Sequence, residues 1–163
     1  MTIKSKPSTE TGTSVQIILE AAGKANDYSK LTAHQRRLLL ACILAAMVPA
    51  DGKIRQVETE QLEVLLRGRY GLQQAEIDKA IEFCMDDANR ALVQQAARHM
   101  VDLLSIEDRI TLVGQLWDIA LADRELHHAE ETLIYELADK FQVPRKRVIE
   151  QQARSAGRNP TKT

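Results

Sequence analysis

Two stretches of sequence decide the fold: Ala50-Asp51-Gly52-Lys53-Ile54-Arg55-Gln56-Val57-Glu58 and Ala122-Asp123-Arg124-Glu125-Leu126-His127-His128-Ala129-Glu130. They lie 72 residues apart. Both read Ala-Asp, then an apolar residue three positions after the aspartate, then a glutamate four positions further on. Carried outward in the same register, Leu40 falls on Leu112, Leu44 on Leu116, Leu62 on Ile134 and Leu65 on Leu137. With one residue dropped, Tyr70 falls on Phe141, Leu72 on Val143 and Ile77 on Val148. Each copy reads as helix, short acidic turn, helix, aromatic-x-apolar turn, helix, over about 39–81 and about 111–152.

The flanking segments have helical periodicity throughout. Val15, Ile18, Leu19 and Ala22 recur at helical spacing behind Ser14, a suitable cap, and Thr32 with Gln35 makes a capping-box signature. The run that follows, ending near Val48, is apolar nearly all round, which predicts a helix at the centre of the core. Val57, Leu62, Leu65 and Leu66 mark a helix that stops near Gly71. Ile77, Ile81 and Cys84 or Met85 give the buried face of the next, and Ala88 to Leu104 reads as one more. Ser105 with Asp108 opens a stripe through Ile106, Ile110, Val113, Leu116, Trp117 and Ala120, in which Trp117 reads as core. Leu133, Ile134, Leu137 and Ala138 carry a helix to Phe141, and Pro144 stands where the last helix would begin.

No segment reads as a strand. The expectation is an all-α, single-domain bundle of about seven to eight helices with an internal pseudo-two-fold duplication that brings the two acidic turns together. Residues 1–13 are expected to be a disordered tail, 14–153 the helical domain and 154–163 a basic flexible tail.

Composition agrees: the 163 residues are 44% hydrophobic but 4% aromatic, with 7 Gly and 4 Pro, which favours helix over sheet. The longest apolar run, Leu38 to Ala50, is broken by Pro49 and falls short of the roughly 20 residues of a membrane span. Lys4, Lys6 and Pro7 precede no apolar signal region, so a cytoplasmic location is expected. Cys42 and Cys84 sit within apolar helical patterns and read as small core residues rather than as a disulfide or metal pair. Residues 31–139 carry eleven basic against nineteen acidic side chains, and residues 140–163 carry seven against one. An acidic body disfavours nonspecific nucleic-acid binding through the main surface, while the basic end reads first as a solvated terminus and otherwise suits an acidic partner, RNA or lipid.

The repeated Ala-Asp-Gly-Lys-Ile-x-x-x-Glu and Ala-Asp-Arg-Glu-Leu-x-x-x-Glu units resemble the signature of the TerB-like tellurite-resistance family, over roughly residues 35–153. The resemblance implies an all-helical bacterial protein of two halves and a role in tellurite or general stress resistance. A protein partner, such as a membrane-associated stress complex, would go with that role. Arg124 stands where the glycine is expected, which speaks against a left-handed backbone or a close ligand approach at the second turn.

Asp51, Glu58, Asp123 and Glu130 are the candidate metal ligands. Carboxylates clustered without basic neighbours repel one another unless a cation relieves them, and their oxygens suit Ca²⁺ or Mg²⁺ better than Zn²⁺. The same residues also have a reading without a ligand: each aspartate accepts backbone N–H groups ahead of a helix, each glutamate favours the positive end of the helix dipole, and Ile54 and Leu126 plug the core. An EF-hand is excluded, because Met47, Pro49, Ile119 and Leu121 stand where its first and third ligands belong.

His127 and His128 diverge by about 100° on a helix and read as a solvated pair, and His34 and His99 receive no role. GxSxG, HExxH, a glycine-rich phosphate loop and a recognised Cys-His spacing are all missing, so neither catalysis nor a small-molecule substrate is expected. The chain thus reads as a non-catalytic helical module whose acidic turns bind a divalent cation, a partner protein or both. The competing reading is a purely structural interaction or homodimerisation domain with no metal.

Overall fold

The structure, a computed structural model, describes residues 15–21, 24 and 27–158. The expected tail over 1–13, the Ser14 cap and residues 159–163 lie outside them. The described residues form helices and turns, with no strand among them.

Thr32 starts helix α1 (Ala33–Ala45) with a full capping box: its hydroxyl accepts the Gln35 N–H at 3.1 Å while the Gln35 side chain accepts the Thr32 N–H at 2.9 Å. As its all-round apolar sequence requires, α1 buries Leu38, Leu39 and every residue from Ala41 to Ala45. Helices α2 (Gln56–Gly68) and α3 (Gln74–Met85) follow, and α3 packs along α1.

The stretch expected as one helix over 88–104 is instead broken in three. It comprises a 3₁₀ turn at Asp87–Asn89, α4 (Arg90–Arg98) and α5 (Met100–Leu103). Asp86 takes the Ala88 N–H on its side chain at 3.0 Å, and near His99 the backbone bonds tighten to three-residue spacing, with His99 N to Ala96 O at 3.0 Å and Asp102 N to His99 O at 3.1 Å. Both features turn the chain where an apolar pattern alone would run on.

Ser105 caps α6 (Ile106–Ala120), the second buried rod, in which every residue from Leu112 to Ala120 is buried. Helices α7 (His128–Lys140) and α8 (Arg145–Arg158) complete the bundle. Pro144 lies one place before α8, its carbonyl accepting from Arg147 and Val148. Trp117 is fully buried and donates from Nε1 to Val148 O at 3.1 Å, and Ser155 Oγ donates to Asp118 Oδ1 at 2.7 Å, so α8 lies along α6 to its end. The expected flexible tail therefore does not begin at 154: the helix continues to Arg158, held by the buried Ser155. Helix α7 begins and ends 72 residues after α2. No helix among the described residues is long and apolar enough to cross a membrane.

Candidate functional site

The two acidic turns have one backbone design. Asp51 Oδ1 accepts the Lys53 N–H and Asp123 Oδ1 accepts the Glu125 N–H, each at 3.0 Å. The next residue is left-handed in both, Gly52 at φ 82° and Arg124 at φ 65°, with its N–H bonded three residues back, to Pro49 O and Leu121 O, at 2.9 Å. Arg124 thus adopts the backbone that its side chain argued against. The local hydrogen bonds hold it there against a conformational cost of about 1 kcal/mol.

Arg55 and His127, the residues just before α2 and α7, have extended backbone, at φ −105°, ψ 128° and φ −95°, ψ 134°, so each side chain points away from that of the residue before it. Arg55 and His127 point inward, and Ile54 and Leu126 are 50% and 39% exposed. This corrects the expectation that Ile54 and Leu126 plug the core. Both residues lie two places before a helix begins, where no helical face carries them into the core.

Arg55 joins the turns. Its Nη2 lies 2.8 Å from Asp51 Oδ2 and its Nε 3.4 Å from Asp123 Oδ2. His127 occupies the equivalent place before α7: its Nε2 is 2.8 Å from Asp123 Oδ2 and its Nδ1 3.4 Å from Arg55 Nη2. A guanidinium only donates, so Nδ1 accepts and a neutral ring carries its proton on Nε2, where it donates to Asp123. The Arg55 hydrogen bond holds the Asp51 carboxyl below its ordinary range. His127 is therefore tied into the turn rather than solvated, while His128 is exposed.

Glu58 and Glu130 are each the third residue of a helix, where a glutamate commonly reaches back to cap the backbone. Neither does so. Both turn inward and are 0% exposed. Their carboxyls face one another, and no protein group donates a hydrogen bond to any of the four oxygens, so a bond between them requires a proton on one. Burial pushes Glu58 up to about 7, and burial beside Glu58 pushes Glu130 up to about 10. The pair retains a proton at neutral pH. The charge of Arg55 offsets part of the cost on both, and its Nη1 is itself buried without an acceptor.

All four carboxylates singled out in the sequence thus surround one guanidinium. Sequence reasoning missed Arg55 and preferred a solvated reading of His127, although a signal was present: both stand three residues before the repeated glutamate, 72 apart. Glu58, His127 and Glu130 each offer a ligand atom within 4.8 Å of the others, and Asp123, Glu125 and His127 form a second such group. Buried oxygens without donors, joined by an imidazole nitrogen, are a donor set that fits a divalent cation.

A family model described as "Tellurite resistance protein TerB" matches residues 37–153 of this chain. The match spans both acidic turns and all of the residues just described. No curated protein and no solved structure matches the chain.

Proposed function

The chain belongs to the TerB family of tellurite resistance proteins, and on that premise we propose that its paired acidic turns bind a divalent cation and, through it, regulate contact with a partner protein. The observation that carries the reading is the Glu58–Glu130 pair, two fully buried carboxyls with no donor on any oxygen. Such a pair costs several kcal/mol unless protonated or neutralised, and a cation supplies the neutralisation directly. Glu58, Glu130 and His127 are the inner ligands, with Asp51 and Asp123 beside them. Oxygen ligands alone would favour Ca²⁺ or Mg²⁺, and the His127 nitrogen shifts the preference toward Mn²⁺ or Zn²⁺.

Arg55 is the resident positive charge between the turns, so an ion that enters releases it from Asp51 and Asp123. Ile54 and Leu126, adjacent in sequence to Arg55 and His127, are exposed apolar side chains that such a rearrangement would move, which supports a protein partner on this face. The role is non-catalytic, and family membership supports its placement in tellurite or general stress resistance.

The test is a thermal melt of metal-stripped protein with and without Ca²⁺, Mg²⁺, Mn²⁺ and Zn²⁺, repeated on Glu58→Gln combined with Glu130→Gln. A rise of several degrees with one ion, lost in the double variant, is the expected result. A wild-type protein indifferent to all four ions would overturn the cation site.

A further inference from the structure

Cys42 and Cys84 lie 42 residues apart in sequence, yet meet where α1 packs on α3. The Cys84 thiol donates to the Cys42 carbonyl oxygen at 3.1 Å, and the Cys42 side chain is its hydrogen-bonding neighbour. Both cysteines are free. Their exposures differ: Cys42 is completely buried, whereas Cys84 lines a cleft of about 350 Å³. Ala46, Pro49, Val93, Arg90 and His128 also line that cleft. One thiol is therefore reachable from outside and the other only from the first.

We propose that Cys42 and Cys84 are a paired modification site that closes to an intramolecular disulfide on oxidation by a hydroperoxide, fastening α1 to α3. The Cys84 sulfur attacks the outer peroxide oxygen, the O–O bond breaks, and Cys84 becomes a sulfenic acid as the peroxide leaves as an alcohol, or as water from hydrogen peroxide. The Cys42 sulfur then attacks the Cys84 sulfur, the S–O bond breaks, and the hydroxyl leaves with the Cys42 proton as water. Two thiols lose two electrons in all and the peroxide gains them. The Cys84 thiol already reaches the Cys42 backbone carbonyl with the Cys42 side chain beside it, so the closure asks for rotation of the two side chains toward one another across the α1–α3 contact. The Cys42 neighbour and burial raise the Cys84 thiol well above its ordinary value, which keeps it protonated at neutral pH and slows the closure.

The full chain is treated with hydrogen peroxide, then alkylated under denaturing conditions, digested with trypsin and mapped by mass without reductant. Residues 38–53 and 80–90 are expected as one linked pair from monomeric protein, lighter by two hydrogens than the two free peptides. Dithiothreitol should separate them, and the oxidised protein should melt several degrees higher. In Cys42→Ser, dimedone should trap a sulfenic acid on Cys84. Wild-type protein with both thiols still alkylatable, a linkage between two copies, or Cys84 oxidised past sulfenic acid with Cys42 untouched would each overturn the proposal. The wild-type map stands on its own should the variant fail to fold.

Discussion

Glu58 and Glu130, 72 residues apart in the chain, meet in the interior as two facing carboxyls, each set by the first turn of its own helix. Helix N-termini favour negative charge, and Arg55 supplies a positive one nearby, which is what makes the burial tolerable. The remaining strain is electrostatic and therefore visible to pH.

In chelator, stability should fall as pH rises from 5 to 8. Both glutamates bind protons more tightly in the folded chain than at the ordinary 4.5, Glu58 up to about 7 and Glu130 up to about 10. Above 4.5 the unfolded chain has released protons that the folded one still holds, so the slope of unfolding free energy against pH is negative. Urea denaturation at several pH values measures it. A curve rising over that interval would show that the pair is not held protonated.

Removing Arg55 should separate stability from cation affinity. In Arg55→Gln the carboxylates lose their internal counter-charge, so the metal-free protein melts lower. An added divalent ion no longer competes with a guanidinium, so its affinity rises by roughly tenfold, about 1.4 kcal/mol. Calorimetric titration beside a melt reads both, and a weaker affinity would mean that Arg55 supports the ion rather than occupying its place.

The left-handed residues predict substitutions of opposite sign. At Gly52, φ 82°, nothing lies within 4 Å of an added Cβ, so Gly52→Ala should cost about 1 kcal/mol through the backbone alone. At Arg124, φ 65°, Arg124→Gly should be neutral or stabilising by up to about 1 kcal/mol. Equilibrium denaturation of the two variants decides it, and equal losses in both would contradict the backbone argument.

Ser155→Ala should destabilise the protein by about 1–2 kcal/mol, since it deletes a buried hydrogen bond to Asp118. Ending the chain after 153 should cost more, because the last turn of α8 leaves with the hydroxyl. Thermal unfolding of the two against the full chain is the check.

The bundle was legible because helix formation and burial leave local traces. Thr32 with Gln35 and Ser105 with Asp108 announce helix starts that the structure carries out bond for bond. The all-round apolar run before Val48 announced the central helix. The breaks at Asp86 and near His99 were not legible, since apolar spacing continues through both: the first turns on side-chain capture of the Ala88 N–H by Asp86, the second on a local tightening of backbone bonds. The docked end of α8 was hidden for a related reason: a basic, polar segment reads as solvated until Ser155 is seen against Asp118.

At the site, sequence alone singled out four carboxylates, because Asp51, Glu58, Asp123 and Glu130 stand at one register in two similar stretches. It also determined that Arg124 breaks the pattern in residue type, and the structure adds that it does not break it in backbone. Only the tertiary structure decided that Ile54 and Leu126 face outward while Arg55 and His127 join the acids, that both glutamates are buried without donors, and that Cys42 touches Cys84. Periodicity records which residues share a face of one element, but burial, proton affinity and thiol pairing depend on what a second element brings to that face, and that is fixed only when helices distant in sequence pack together.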